Sequence, residues 1–478
     1  MYPTSPNTST SPQLRANSLG LSELVFQAIT HIAPASNVIF AFPIIALKAG
    51  PVMPISLLLA TIVCLFIGNT VSQFSSYMPS SGGYYSFATR GLGSRAGFMA
   101  TWSYLVYEIP GNAGLTGFLG YFVSEMLRSE FKINIPWWLI SLATIALVWS
   151  LTYRGIQLSA RITAILGGIE VLIMLAMSIT FLIHPGRGSS YTAPLNPFNA
   201  PNHLSGVLAG MVFSILALSG FEAPAPMAQE AKRPASFIAK AITLSLLTIG
   251  GFYIFTSYAA AIGWGTGDMA SFASSANPYY VLGRAFWGIG WWSVVLALIN
   301  SAVGVGLAAT NATSRVMYTM GRAGTLPAKF ARIHPAHQTP TFAIGFIQIA
   351  CIIAIFLVGF LLKPETIFGF LETVATLAVI VLYVMSNLAL TRYMRREQPS
   401  HFSVWQHGIV PWVATLCLLP VLFVTIYPQP AWPYNLTPYV FAVAMVLGLA
   451  FMKWRESSNP GALERAAAML TRATDVVE

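Results

Sequence analysis

Long apolar runs separated by short polar loops make up most of this chain. Each run is close to the ~20 residues that an α-helix needs to cross the hydrocarbon core of a bilayer. The pattern therefore predicts an all-α integral membrane protein with twelve transmembrane helices. The runs fall at about 24–47, 53–75, 97–124, 136–153, 160–183, 204–229, 239–264, 290–312, 341–362, 369–390, 409–427 and 435–452.

Composition supports a single membrane-embedded unit. Only 8% of the 478 residues are charged and 55% are hydrophobic, whereas a soluble domain carries about 25% charged residues. Residues 1–20 are rich in Ser, Thr, Pro and Asn, and we expect a disordered cytosolic tail there. The first apolar stretch runs to about Leu47, which is longer than the ~7–15 apolar residues of a cleavable signal peptide.

The positions of the basic residues predict the orientation. With the N-terminus inside, 19 of the 25 Lys and Arg residues fall in inside segments, Arg315 among them. Such a bias is typical of cytoplasmic loops, so we expect both termini to be cytosolic in a multi-pass protein of the plasma (inner) membrane. Because the basic residues sit at the ends of spans and not on one soluble surface, the net charge of +10 does not indicate a nucleic-acid partner.

Two of the apolar runs contain an interruption. The first has Pro34 near its middle, and the sixth has Gly220 followed by Pro224 and Pro226. Proline removes a helix donor, and irregular backbone at membrane depth is tolerated only where it lines a protein cavity. Interrupted segments at matching places in two halves of a chain indicate a transport site. The alternative is a pair of proline kinks without a ligand. The predicted substrate-binding residues at the breaks are Ile32, Ala33, Pro34, Ala35, Ser36, Ser219, Gly220, Phe221 and Glu222.

Acidic residues inside the spans are the second signal. A charged side chain at mid-bilayer costs about 2.5–3.5 kcal/mol, and no Lys or Arg lies deep in a predicted span to neutralise one. Each acid is therefore protonated, or faces water, a polar partner or a cationic substrate; hydrogen bonding to a neighbouring helix is the plainer alternative. Glu108 shares a helix face with Tyr104, Gly111 and Asn112, and we include it in the binding site. The acids are Glu108, Glu170, Glu222 and Glu372.

Enzymatic chemistry has no visible motif in the chain. The sequence contains no metalloprotease motif, nucleophile elbow or P-loop, so we predict no catalytic residues, no cofactor and no metal site. Cys64, Cys351 and Cys417 each lie in an apolar run, and we expect no disulfide. A multi-span sensor or enzyme stays as a remote alternative.

Four loop segments resemble those of the amino acid–polyamine–organocation transporters, and they occur in the family's order between about residues 20 and 390. Residues 79–85 match the family's P-x-x-G-G-x-Y, and residues 154–161 match R-G-V-K-x-S-A-R. Residues 220–222 match G-x-E, and residues 230–234 match E-x-K-x-P. Residues 314–327 match S-R-x-x-Y-x-x-x-R-x-G-x-L-P.

The resemblance implies two inverted repeats of five spans each, followed by two further helices. It implies a substrate site between the broken helices one and six, and alternating access, often driven by protons, sodium or exchange. The implied segments are repeats at 21–183 and 203–390 and a helix pair at 405–454; composition adds the tail at 1–20 and a cytosolic tail at 455–478.

The chain departs from the family at three places. The break in helix one has no glycine, whereas many relatives have G-x-G there. A tryptophan that gates the site in some relatives corresponds here to Leu216, so Phe213 and Phe221 are the candidate gates. Glu170 corresponds to a lysine of sodium-independent relatives; a glutamate could titrate and couple transport to protons, or could be a packing carboxyl.

The leading hypothesis is a permease that carries amino acids together with a proton, as a monomer or homodimer in the lipid bilayer. The amine would meet backbone carbonyls and Glu108 or Glu222, and a carboxylate would meet the free NH groups of helix one. A carrier of polyamines or other organic amines, or an amino acid exchanger, stays open.

Overall fold

The computed structural model describes residues 14–275, 277–427 and 430–474, and helices joined by turns and loops make up these ranges, with no β-strand among them. The predicted all-α class is confirmed. The first part of the chain contains a short helix, α4, between the second and third apolar runs. The helices here are α1 Leu21–His31, α2 Pro34–Ala49, α3 Met53–Tyr77, α4 Tyr84–Leu92, α5 Ser94–Phe131, α6 Trp137–Tyr153 and α7 Ile156–Ile183.

The second part also has short helices between longer ones, and a π-helical stretch, Val404–Ile409, precedes α15. The predicted cytosolic tail contains the end of α16 and all of α17, which packs against α4 and α5. The helices are α8 Leu204–Ala217, α9 Pro234–Trp264, α10 Met269–Ser274, α11 Pro278–Trp287, α12 Trp292–Arg322, α13 Thr341–Leu361, α14 Ile367–Glu397, α15 Val410–Ile426, α16 Thr437–Ser458 and α17 Ala462–Thr474.

Many of these helices are long and apolar enough to cross a membrane. By length and composition, eight segments of the described chain qualify, while α6 and α8 are apolar but shorter. The protein is therefore a multi-pass membrane protein. The qualifying segments are Leu21–Tyr77, Ile156–Ile183, Pro234–Trp264, Pro278–Arg322, Thr341–Leu361, Pro364–Glu397, Val404–Ile426 and Tyr434–Ser458.

The first apolar run is broken where Pro34 predicts it. Helix α1 ends at His31, and α2 begins at Pro34. Between them Ala33 has a φ of 57°, in the left-handed region. Proline favours this arrangement because it suits the first position of a helix and pushes the preceding residue out of the right-handed helical conformation.

The sixth apolar run is helical over a shorter stretch than the predicted 204–229. Helix α8 ends at Ala217, and residues 218–233 form turns and one short 3-10 helix before α9 begins. Gly220 has a φ of 106°, which favours glycine. Pro224 and Pro226 remove two further backbone donors, so the α-helical ladder does not resume here.

Neighbouring helices enclose both breaks, where Ile32, Ala33, Leu218 and Phe221 are buried. Helix α3 packs along α9 and α8, and α1 packs against α9 and α7. Two long helices, α5 and α12, pack along α14 and α7 respectively. The breaks are thereby surrounded by protein, as irregular backbone at membrane depth requires.

Candidate functional site

The two helix breaks touch each other. A Cβ atom at Gly220 would lie 2.9 Å from the carbonyl carbon and oxygen of His31. The side chain of Asn37 donates hydrogen bonds to the carbonyl oxygen of Ile32 and, at 2.9 Å, to that of Ala217. One amide therefore satisfies the carbonyl ends of both α1 and α8, and it ties the two breaks into one structural unit.

A polar cavity of about 60 Å³ lies beside this unit, with room for a few water molecules. Its walls come from both breaks and from α5, α12 and α14. The lining residues are His31, Ile32, Ala33, Ser36, Asn37, Tyr107, Glu108, Gly111, Asn112, Leu115, Leu216, Ser219, Val305, Phe368 and Glu372.

The predicted site residues divide between this wall and the packing behind it. Five of them line the cavity, and five do not. Phe221 is buried and stacks on the ring of Tyr383, with the centroids 5.7 Å apart. A carboxylate oxygen of Glu222 accepts hydrogen bonds from the Tyr383 hydroxyl at 3.0 Å and the Gly220 NH at 3.2 Å. The cavity-lining five are Ile32, Ala33, Ser36, Glu108 and Ser219, and the others are Pro34, Ala35, Gly220, Phe221 and Glu222.

A histidine and a carboxyl group form a close pair on the cavity wall. His31 Nε2 is 3.2 Å from Glu108 Oε2, and the two side chains are only 6% and 1% exposed. Sequence reasoning missed His31, because only Lys and Arg were weighed as partners for the buried acids. The available signal was a titratable base three residues before Pro34, inside an interrupted span.

Glu372 provides a second carboxylate on the same wall. It is half-buried on α14, and among the described residues it has neither a hydrogen-bonding partner nor an ion pair. Glu108 Oε1 is likewise buried without a hydrogen-bonding partner. Carboxylate oxygens only accept hydrogen bonds when ionised, and an ammonium group only donates them. This wall can therefore bind a cationic amine.

Glu170 lies behind the cavity, at the start of α2. Its Oε2 accepts a hydrogen bond from the Ala35 NH at 3.1 Å, and the side chain is fully buried. The next backbone donor, the Ser36 NH, bonds to Ser301 Oγ at 3.3 Å. Because Pro34 has no NH, the first two donors of α2 are both engaged by residues of the chain itself.

A larger cavity of about 340 Å³ adjoins the first one and shares Asn37, Leu216, Phe368 and Glu372 with it. Phe213, one of the two candidate gates, lines this second cavity only. Phe368 lines both cavities, and its ring lies 5.7 Å from that of Phe40. Sequence reasoning did not single out Phe368, since an aromatic residue in an apolar run carries no distinguishing signal.

Two interrupted helices that meet around an ionisable cavity, inside an all-α membrane bundle, define a membrane transporter. Comparison with known proteins identifies the family. A sequence model described as amino acid permease matches residues 19–451. The chain belongs to this family, as its loop motifs predict, and it is a secondary transporter. Membership in a transporter family points away from enzymatic activity.

Curated relatives cover most of the chain. The branched-chain amino acid permease BcaP of Bacillus subtilis is 28% identical over 400 residues, which span 79% of this chain and 81% of that protein. The low-affinity putrescine importer PlaP of Escherichia coli K12 is 24% identical over 73% of this chain and 76% of that protein. The methylthioribose transporter of Bacillus subtilis is 28% identical over 77% and 81%.

Proposed function

We propose that this protein carries an amino acid across the plasma membrane together with a proton, by alternating access. The observation that carries the proposal is the cavity at the helix breaks, where Glu108 and Glu372 present carboxylate oxygens. The names of the relatives support an amine-bearing cargo, because they include a branched-chain amino acid permease and a putrescine importer.

We further propose twelve membrane crossings. The segment Leu21–Tyr77 has 57 residues and would measure about 85 Å as one straight helix, far more than the ~30 Å hydrocarbon core. It therefore provides two crossings, α1 with α2 and then α3. The remaining qualifying segments provide seven more, and α5, α6 and α8 complete the twelve. The distribution of Lys and Arg supports cytosolic termini.

The pairing of helices supports two inverted repeats, α1–α7 and α8–α14, followed by α15 and α16. If α1, α3, α5 and α7 correspond to α8, α9, α12 and α14, two of the contacts between the halves have counterparts. The contact of α1 with α9 matches that of α8 with α3, and the contact of α7 with α12 matches that of α14 with α5.

In this proposal the cargo ammonium group binds between Glu108 and Glu372, and Phe368 separates the inner cavity from the outer one. Closing the unit of α1, α2 and α8 against α5, α12 and α14 would then seal one side before the other opens. The polar end of α2 receives the cargo carboxylate, because a helix N-terminus carries a partial positive charge.

Uptake by the purified protein in proteoliposomes tests the proposal. We expect uptake of radiolabelled leucine or ornithine to rise when the outside is made acidic relative to the lumen, and unlabelled amino acid to compete with it. Collapse of the pH gradient by a protonophore should abolish accumulation but not counterflow. No uptake of amino acids or amines under any gradient would contradict the proposal.

A carrier of amines without a carboxylate is the second candidate. One observation favours it: the first NH groups of α2 are already bonded to Glu170 and Ser301, so no donor there is free for a carboxylate. Competition separates the two candidates. Amino acid esters and decarboxylated amines would block uptake as well as the parent amino acids if the carboxylate is not recognised.

A further inference from the structure

We propose that Glu170 occupies the position of the cargo carboxylate at the start of α2, and that a proton on Glu170 opens this position to an amino acid. The inference rests on the proposed function and explains how proton and cargo would enter together. The coupling is then a competition between two carboxylates, one from the protein and one from the cargo, for the same backbone donors.

Glu170 already binds the N-terminal end of α2. Glu170 Oε2 accepts from the Ala35 NH at 3.1 Å, while Glu170 Oε1 is buried without a hydrogen-bonding partner. Helix α2 is 16 residues long, so its aligned peptide dipoles give its N-terminus a substantial positive potential. An anion is stabilised at such an end, and Glu170 is the anion that the chain supplies.

Ser36 connects this helix end to the cavity. Its side chain is 2% exposed, its hydroxyl has no hydrogen-bonding partner, and it lines the cavity wall. The NH of the same residue bonds to the uncharged hydroxyl of Ser301. The start of α2 therefore faces Glu170 on one side and contributes Ser36 to the wall of the cargo cavity on the other.

Electrostatic repulsion prevents an ionised Glu170 and an ionised cargo carboxylate from sharing the start of α2. Like charges a few ångströms apart in a buried site cannot both stay ionised. An ionised Glu170 therefore repels a cargo carboxylate from Ala35 and Ser36. A protonated Glu170 has lost its charge, holds the Ala35 NH less strongly, and lets the anionic cargo take this donor.

The titratable groups near Glu170 have other partners, so the protonation state of Glu170 itself controls access to the start of α2. Among the described residues Glu170 has no salt bridge. Helix α9 contributes Tyr253, whose hydroxyl donates to the Ile32 carbonyl, and α12 contributes Ser301. His31 of α1 is directed to Glu108, while α2 faces Glu170 with its backbone. Of these groups, Tyr253 and His31 are the titratable ones, and each already has another partner.

The sign of the pH dependence follows by linkage. At low pH Glu170 is protonated and amino acids bind tightly. As the pH rises and Glu170 ionises, each bound amino acid must bring in one proton, so its dissociation constant rises by about tenfold per pH unit. An amine that lacks a carboxylate does not compete with Glu170, and its affinity stays level or improves over the same range.

Equilibrium binding to the detergent-purified protein tests the inference with two matched pairs of probes: leucine with isopentylamine, and ornithine with putrescine. Each amine is the decarboxylated form of its amino acid. We expect the pH slope for the amino acids alone. In Glu170→Gln, a neutral isostere, the amino acids should bind tightly at every pH. Ser301→Ala removes the hydroxyl that neighbours both Glu170 and the Ser36 NH but keeps the titratable carboxyl, so the slope should persist.

The possible results are distinguishable. An equal pH slope in wild type and Glu170→Gln would overturn the inference, as would amine binding without amino acid binding at every pH; neither would contradict transport of an amine-bearing cargo. If Glu170→Gln is poorly folded by size-exclusion chromatography, Glu170→Asp replaces it. That variant keeps a titratable group, and the inference requires it to retain the slope. Failure of all four probes to bind at acidic pH would count against the proposed function itself.

Discussion

Arg315 of α12 and Glu230, which follows the second helix break, form a bidentate ion pair that is completely buried. The two contacts measure 2.8 and 3.0 Å. The backbone carbonyl of Glu230 also accepts hydrogen bonds from the NH groups of Ser18 and Leu19. One residue thus joins the segment before α1, the segment after the second break and α12, on the predicted cytosolic side.

Breaking this pair should be costly. Removing one member of a buried ion pair leaves the other charge without compensation, at about 3–5 kcal/mol. We expect Glu230→Gln and Arg315→Met each to lower the free energy of unfolding by that order, and the double variant to lose less than the two single losses combined. Thermal melts of the detergent-purified protein measure the effect.

The matched control is the more exposed pair of Arg284 with Glu130, 2.8 Å apart. Such pairs contribute about 0–1 kcal/mol, so Arg284→Ala should barely change the melting temperature. Equal losses at the two sites would contradict the assignment of a stabilising role to the buried pair.

Gly220 should tolerate no side chain. Alanine there would adopt a left-handed conformation, which costs about 1–2 kcal/mol, and its Cβ would collide with the His31 backbone. We expect Gly220→Ala to lower both thermal stability and cargo binding, since the two breaks would be pushed apart. Gly251→Ala is the control, because a Cβ there meets no atom within 4 Å and alanine favours helix. Wild-type binding by Gly220→Ala would rule out the close contact.

The pair of His31 and Glu108 should affect function beyond its effect on stability. We expect Glu108→Gln and His31→Gln each to reduce uptake at least tenfold, because each leaves a buried partner uncompensated beside the cargo. The double variant, which removes both ionisable groups, should recover thermal stability but not uptake. If the double variant recovered uptake, the pair of His31 and Glu108 would have a structural role only. Proteoliposome uptake and thermal melts of the same preparations supply both measurements.

Sequence reasoning predicted the features that depend on local rules. Apolar runs predict the helical membrane class, and Pro34 predicts the first break because a proline constrains its own backbone and that of the preceding residue. It could not predict what neighbouring segments decide. Arg315, counted among the inside segments, lies within α12 and is fully buried, and its partner Glu230 is distant in sequence.

The candidate site shows the same division. Sequence reasoning identified Glu108, Glu170, Glu222 and Glu372 as buried acids, since a carboxyl in an apolar run is conspicuous. It could not tell which of them faces the cavity, because the face that a helix presents depends on its packing partners. Glu372 was left out of the predicted site yet lines the wall, and Glu222, which was included, is bonded to Tyr383 behind it.

Glu372 provides the most direct test of cargo recognition. Its carboxylate is half-buried and, within the described chain, without a partner, so Glu372→Gln should leave thermal stability nearly unchanged. A charge-assisted hydrogen bond contributes about 1.5–3 kcal/mol, so its loss should weaken binding of leucine and putrescine by about ten- to a hundredfold. Glu365→Gln is the control, because that acid lies at the surface beside Lys363. Equal affinities in Glu372→Gln and wild type would show that the cargo ammonium group binds elsewhere, and Glu108 would then be the remaining carboxylate on the cavity wall.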